Sequence, residues 1–360
     1  MPPIRVGIVG ANAERGWGRD AHLDALRTLA QFTIVAVSAR TQALAEQAAT
    51  AFGATRAFGD SLGLAQNPDI DLVVVTVKVP EHRAVVLAAL AAGKHVYCEW
   101  PLGRDLAEAK EMAAAVRPGI HAVVGLQGLF SPAIRGAVSL IHSGAIGRPH
   151  ILRVFGSAGA WGKEVAAHYG YLQDKRNGAS LETIGGGHTL AAIEALVGPY
   201  AEVDARNSTL RKTVRVQGTD ESIERTCADH MLVLGQHASG CVSTLEMVGG
   251  TADRPASFEL VGEHGWLRVT GQSPAAYQLA TLTLTASTPI EPPAAVPMPT
   301  LKGPPANVAQ VYAILAEDLR SGTHRTPNFQ DAVRLTQLLD TIDSASSSGT
   351  RQQLRPRAGN

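Results

Sequence analysis

The chain has 360 residues, 45% of them hydrophobic and 18% charged, which sustains a sizeable core, excludes global disorder and suggests two domains. Its 32 Lys+Arg balance 32 Asp+Glu, so it lacks the cationic field that a nucleic-acid sleeve or a membrane-surface binder needs. Three cysteines, Cys98, Cys227 and Cys241, without metal-site spacing, and an opening Met1-Pro2-Pro3 run with no cationic segment ahead of an apolar stretch, lead us to expect a cytoplasmic protein without metal, membrane or direct nucleic-acid partners.

Short apolar runs alternate with helical patterns over the first third of the chain. Strands are expected at 4–10, 32–37, 72–77, 95–98 and 122–125, and helices at 21–29, 42–52, 83–92 and 106–116. Strands that are apolar on both faces belong to a parallel sheet covered by helices on both sides, so residues 1–125 read as a doubly wound α/β dinucleotide-binding domain of the Rossmann type. After 126 the pattern changes. Helices are expected at 133–143 and 189–196, and strands at 150–156, 201–206, 229–236, 241–248, 257–262 and 265–270, the spacing of a large, mostly antiparallel open sheet. A Pro-rich stretch, 288–305, reads as loop, 309–320 and 329–344 as closing helices, and the Ser/Arg-rich tail from about 345 as frayed. Residues 126–360 are therefore expected to form a second, α+β domain.

The turn after the first strand runs Gly10-Ala-Asn12-Ala-Glu-Arg-Gly16-Trp17-Gly18. A dinucleotide fingerprint needs a glycine for the tight turn, which Gly10 supplies, and a second where backbone approaches the pyrophosphate. Asn12 stands at that second place, and Asn tolerates positive φ better than other non-glycine residues. At the end of the second strand an acid would accept from the ribose 2′-hydroxyl of NAD. The segment here is Ser38-Ala39-Arg40, and both polar residues can bind a 2′-phosphate. The expectation is NADP(H) preferred, with NAD(H) possible. The alternative for Arg40 is a residue that merely starts a solvated helix.

The run Ala92-Gly93-Lys94-His95-Val-Tyr-Cys98-Glu99-Trp100-Pro101-Leu102 resembles the "AGKHV-CEKPL" segment of the Gfo/Idh/MocA oxidoreductase superfamily, and Gly144-Ala-Ile-Gly147 and Gly262-Glu-His-Gly265 fall at similar places. The resemblance implies a nicotinamide-binding Rossmann domain and a second domain whose open sheet carries the substrate site and forms a homodimer or homotetramer. It also implies cofactor contacts from Val77, Lys78, His82, Glu99, Trp100 and Gln127. Three departures stand out. Trp100 occupies the place of the family's catalytic lysine, and Val77-Lys78-Val79 replaces a Thr-Pro-Asn. His188 is kept, but Ile184 stands where an Asp four residues earlier is usual, and Ala191 where another follows. Those departures, with Gly10 to Trp17, Leu126-Gln127-Gly128, Ser131-Pro132 and Asp229-His230, are similar to the branch that contains the fungal galactose-pathway repressor, an NAD(P)-binding regulatory protein.

Trp100 cannot take a proton; its indole is suited to stacking on a ring of ligand or cofactor. Two titratable candidates remain for catalysis. His188 has the intrinsic pKa for acid–base work, or is a helix-start histidine that bonds backbone or ribose. Lys78 ends a central strand, where α/β sheets place ligands, and supplies an ammonium to the reaction or to a cofactor phosphate. Tyr169 and Lys175, in the polar loop before His188, are secondary substrate contacts, with Trp100 and His188. Two functions follow: an NAD(P)-dependent oxidoreductase acting on a sugar, cyclitol or related polyhydroxylated molecule with an atypical site, or a catalytically silent dinucleotide-binding regulator with a protein partner.

Overall fold

Alternating apolar and amphipathic segments build, in the computed structural model, which describes residues 2–250, 254–290 and 300–354, a six-stranded sheet first. Its elements in order are β1 (Ile4–Val9), a π-helical turn (Gly18–Leu23) running into α1 (Asp24–Arg27), β2 (Phe32–Ser38), α2 (Gln42–Phe52), β3 (Arg56–Phe58), α3 (Ser61–Gln66), β4 (Leu72–Val75), α4 (Val79–Ala91), β5 (His95–Glu99), α5 (Leu106–Ala114) and β6 (Ala122–Gly125). The strand order is β3-β2-β1-β4-β5-β6, with every pairing parallel. Val6, Ile8 and all four residues of β4 are buried, as both-face coverage requires. The helices start on side-chain caps: Thr41, Asp60 and Asp105 accept from the backbone amides of Leu44, Leu62 with Gly63, and Glu108. The order reverses between β1 and β4, and this opens a crevice at the strands' carboxyl ends.

The second group comprises α6 (Pro132–His142), β7 (Pro149–Ala158), β8 (Glu164–Val165), α7 (Gly187–Val197), β9 (Tyr200–Ser208), β10 (Thr213–Val216), β11 (Ser222–Glu224), β12 (His230–His237), β13 (Val242–Gly249), β14 (Ser257–Gly262), β15 (Trp266–Gly271) and β16 (Leu282–Ala286). α8 (Pro304–Ser321), α9 (Phe329–Ser348) and β17 (Gln352–Gln353) end the chain's described structure. The large sheet runs β16-β15-β14-β7-β13-β12-β9-β17, antiparallel except for the β7–β13 pair. Burial alternates along β12 and β13: Met231, Val233, Leu245 and Met247 face in, and Leu232, Leu234 and Val242 face out. The inner face is covered by α6, α7 and the π-helical turn Leu181–Gly186. A smaller sheet, β11-β10-β8, is fastened by Arg225, whose guanidinium donates to Asp229, Gln173 and the Gly162 carbonyl. Asp229 also accepts from the amides of Leu210 and Arg211, so this buried ion pair is fully bonded and structural.

Four expectations need correction. The second domain is not one continuous stretch from 126 to 360: the chain divides into Met1–Gln127 with Val296–Arg334, and Gly128–Ala295 with Leu335–Asn360. The cause is α8, whose buried Val308, Val311, Tyr312 and Leu315 cover α1 and the turn before it. The tail from 345 is not wholly frayed. α9 continues to Ser348, and Gln352–Gln353 then pairs with β9, whose edge offers unsatisfied backbone groups, while Arg351 pairs with Glu202 and Asp204. The expected helix at 21–29 begins earlier and ends at Arg27. Finally, α8 opens at Pro304, inside the expected loop of 288–305, most of the rest of which lies outside the described residues. No helix among the described residues is long and apolar enough to cross a membrane.

Candidate functional site

At the carboxyl end of β1 the chain turns at Gly10 with φ of +89°. A Cβ there would lie 2.8 Å from Val77 Cγ1 and 3.0 Å from Val77 N, so conformation and space both demand glycine. The turn is pinned by the Ser38 carbonyl, which accepts from the amides of Gly10 (3.1 Å) and Ala11 (2.9 Å). Asn12 works differently from the expectation. No described non-glycine residue has positive φ; instead Asn12 Oδ1 accepts from the amides of Glu14 (2.9 Å) and Arg15 (3.1 Å) and shapes the loop by an Asx turn. Ser38 needs a similar correction. Its hydroxyl is buried, 3.3 Å from Ser61 Oγ. Arg40 is exposed and makes no ion pair among the described residues, so the cation of that expectation stands alone.

The loops after β4 and β5 are braced together. His82 is buried, with Nε2 3.0 Å from the Val77 carbonyl and Nδ1 3.0 Å from the Pro101 carbonyl and 3.2 Å from that of Leu102. Burial pushes its pKa down against the opposing pull of those carbonyls. In the neutral ring Nε2 donates to the Val77 carbonyl and Nδ1 accepts from the Cys98 thiol at 3.3 Å, so His82 braces the two loops. Glu99, at the end of β5, accepts from His22 Nε2 at 2.9 Å, and in the neutral ring His22 Nδ1 then accepts from the Tyr312 hydroxyl at 2.7 Å. This buried chain ties β5, the turn before α1 and α8 together. Sequence reading missed it, since His22 and Tyr312 lie 290 positions apart. Glu99 Oε2 makes no hydrogen bond among the described residues. Trp100 is buried next to it, and Lys78 is exposed at the start of α4.

Four polar side-chain atoms among the described residues of this unit are buried without partners: Tyr97 Oη inside β5, His121 Nδ1 just before β6, and two in loops after strands of the sheet, Trp17 Nε1 in the glycine-rich loop and Gln127 Oε1 just after β6. With a glycine turn at the crevice, an unpaired Arg40 beyond β2 and these two open hydrogen-bond positions, the residues present fit a dinucleotide. Among the described residues no group of three or more His, Cys, Asp or Glu could hold a metal ion, and the three cysteines are buried free thiols.

In the second unit, His188 sits in the first turn of α7 and is 4% exposed. Burial alone pushes its pKa down to about 3, so the ring is neutral at physiological pH, and its Nδ1 has no hydrogen-bond partner. The backbone of this turn is held from outside the helix: Tyr277, also buried, donates its hydroxyl to the His188 carbonyl at 2.8 Å. Sequence spacing gave no sign of Tyr277. Tyr169 and Lys175 lie on the surface turns Ala167–Gln173 and Lys175–Asn177; the Tyr169 ring stacks obliquely on His168, and neither side chain hydrogen-bonds the α7 turn. His230, beside the structural Asp229, pairs with Glu246 on the outer face of the sheet.

Known proteins resemble the chain in two parts. The family described as an oxidoreductase family with an NAD-binding Rossmann fold matches residues 4–119, and the Gal80p C-terminal domain family matches 132–271. The galactose/lactose metabolism regulatory protein GAL80 of Kluyveromyces lactis is 32% identical over 296 residues, 75% of this chain and 64% of that protein. The dehydrogenase aclE of Aspergillus oryzae is 36% identical over 214 residues, 58% of each chain. The matches thus span less than two thirds of these relatives' own lengths. A levoglucosan dehydrogenase solved in complex with NADH and levoglucosan superposes with a TM-score of 0.84 at 21% identity, covering 98% of this chain and all of that one, which establishes a shared fold.

Proposed function

The chain belongs to the Gfo/Idh/MocA oxidoreductase family, and from that premise we propose that it is an NAD(P)-dependent oxidoreductase of a neutral polyhydroxylated small molecule, with His188 as its proton-handling residue. The observation that carries this reading is the state of His188. His22, His82 and His237 are buried with both ring nitrogens within hydrogen-bond distance of partners, whereas His121 Nδ1 and His188 Nδ1 are buried and bare. His121 stacks on His324 just before β6, at the amino end of the parallel sheet and away from the crevice, which leaves His188 as the candidate. A buried polar atom without a partner is costly, and at the start of α7 it leaves a position that a ligand can complete.

A bound nicotinamide supplies the hydride-exchanging carbon. The rest is the work of this chain's residues. The Gly10 turn admits the dinucleotide backbone closely, while Arg40 offers a bidentate cation to a 2′-phosphate and favours NADP(H). Trp17 Nε1 donates and Gln127 Oε1 accepts at the open positions. Trp100, without a titratable group, offers a flat apolar wall where family members carry lysine. His188 meets the substrate oxygen as a neutral ring, an acceptor at one nitrogen and a donor at the other. Lys78 is placed to contribute an ammonium at the carboxyl end of β4, to phosphate or to substrate.

A second reading, a dinucleotide-binding regulator without turnover, is favoured by Trp100 in the lysine position and by the Gal80p-type second domain. Absorbance at the nicotinamide band separates the two. We expect turnover with a polyol such as myo-inositol, levoglucosan or D-galactose, reduced at least about a hundredfold in kcat by His188→Gln. Tight dinucleotide binding with no turnover of any polyol would sink the enzyme reading. The uncovered sheet face, with Ile151, Leu234, Val261 and Trp266 exposed, is proposed as the contact between copies in a homodimer or homotetramer; a monomer by light scattering at micromolar concentration would exclude it.

A further inference from the structure

Gln278 is 4% exposed, yet its Oε1 has no hydrogen-bond partner and its Nε2 donates to no described residue. Gln173 in the same unit shows what a structural glutamine looks like: its Nε2 donates to the Ala160 carbonyl at 2.9 Å and its Oε1 accepts from Arg225 Nε at 2.8 Å. A buried amide left open is costly and persists where a ligand completes it.

The surroundings of Gln278 tie it to His188. It lies in a turn closed by Leu279 N donating to the Ala276 carbonyl at 2.9 Å. Its neighbour Tyr277 donates to the His188 carbonyl and stands edge-on to the Phe258 ring, with centroids 5.3 Å apart. Gly128 is packed against both: a Cβ there would come within 2.8 Å of Tyr277 and 2.9 Å of Gln278 Cβ. One residue of backbone therefore separates an unsatisfied amide from the anchor of the turn that carries an unsatisfied imidazole.

We propose that Gln278 is a substrate-orienting residue, whose amide holds hydroxyl groups of a polyol next to the carbinol that meets His188. A primary amide offers donors and an acceptor side by side, the complement of a vicinal diol, in which one hydroxyl donates and the other accepts. A carboxylate or phosphate could use only the Nε2 donors and would leave Oε1 unpaired, whereas a diol completes both ends of the amide. The proposal rests on the polyol reading given above, which the following experiment tests separately.

The full chain, loaded with NADP(H), is titrated with myo-inositol, levoglucosan and D-galactose, following both binding and turnover in the wild type and in Gln278→Leu and Gln278→Glu. Gln278→Leu keeps the volume and removes the amide. We expect KM or Kd for the preferred polyol to rise tenfold or more, dinucleotide affinity to hold within twofold, and the thermal midpoint to stay level or rise, because an unsatisfied buried group has been deleted. Gln278→Glu, which lacks the donors, should behave likewise and should not gain affinity for the neutral probes. A structural glutamine would give the opposite pattern, a lowered midpoint with KM unchanged, and that result overturns the proposal. If the wild type turns over a polyol and Gln278→Leu leaves KM unchanged, the oxidoreductase reading stands and this one falls. Polyol binding without turnover, weakened tenfold by Gln278→Leu, keeps this proposal and removes the oxidoreductase one. No binding of any of the three at millimolar concentration removes both.

Discussion

His82 and His188 are buried histidines at loop ends, one in each unit of the chain, and they differ in a single respect. His82 has an acceptor for Nε2 in the Val77 carbonyl at 3.0 Å and a donor to Nδ1 in the Cys98 thiol at 3.3 Å, while His188 has a bare Nδ1. Burial lowers the pKa of both rings, so depressed basicity alone does not tell a framework group from a site group. Hydrogen-bond completeness goes further. In the first unit it marks His82 and His22 as framework and leaves Trp17 Nε1, Tyr97 Oη, His121 Nδ1 and Gln127 Oε1 open; in the second it separates Gln173, Arg225 and Asp229 from His188 and Gln278, with Glu182 Oε2 and Asn207 Oδ1 open as well. Completeness narrows the candidates, and position in the fold chooses among them.

The largest test of that contrast is to remove the framework member. His82→Ala deletes a fully packed ring that bridges two loops, and we expect it to lower the unfolding free energy by about 3 kcal/mol in denaturant titrations at neutral pH. His188→Gln, at the same pH, should cost less than about 1 kcal/mol while abolishing turnover. Equal losses of stability from the two substitutions would dissolve the distinction.

The next test uses pH. His188 has a folded pKa of about 3 against 6.5 for an unperturbed ring, so below pH 6.5 the unfolded chain takes up a proton that the folded chain refuses. Its contribution to stability is therefore complete above pH 6.5 and is lost progressively as pH falls toward 3. His82, His95 and His237 are depressed too, so the wild-type curve sums several groups. The informative quantity is the difference between wild type and His188→Gln. On going from pH 7.5 to pH 5 it should move by about 2 kcal/mol in favour of the variant. A constant difference would mean that His188 is solvated and titrates normally.

The sequence disclosed the parallel sheet well, because strands buried on both faces leave continuous apolar runs such as Leu72–Val75, and the period-two burial of β12 and β13 was equally legible. β3 and α3 escaped, since three and six residues are too short for a period to declare itself. The return of α8 to the first unit was invisible because it depends on Tyr312 meeting His22, a contact without local signal. Among the candidate site residues, the glycine turn at Gly10 and the helix-start place of His188 were legible from position. What could not be read was whether a polar side chain already has a partner. Asn12 was expected to serve through its backbone and serves through Oδ1; Ser38 was expected to bind a 2′-phosphate and its hydroxyl is buried beside that of Ser61; Tyr277 and Gln278 carried no motif at all. Residue type and spacing specify chemistry that is available, whereas satisfaction is a property of the folded neighbourhood.

The smallest expected effect concerns Arg40, where the same criterion is applied at an exposed position. With Ser38 buried, the proposed preference for a 2′-phosphate would rest on this guanidinium, which makes no ion pair among the described residues. Solvent and salt screen an exposed cation, so its effect is bounded. Arg40→Ala should weaken NADPH about tenfold, close to 1.4 kcal/mol, and leave NADH within twofold, with the NADPH advantage shrinking as ionic strength rises. If the two dinucleotides lose affinity equally, Arg40 acts on a phosphate they share. If neither loses affinity, Arg40 is a solvated residue ahead of α2, and an unpaired side chain at the surface, unlike one in the core, carries no message about a ligand.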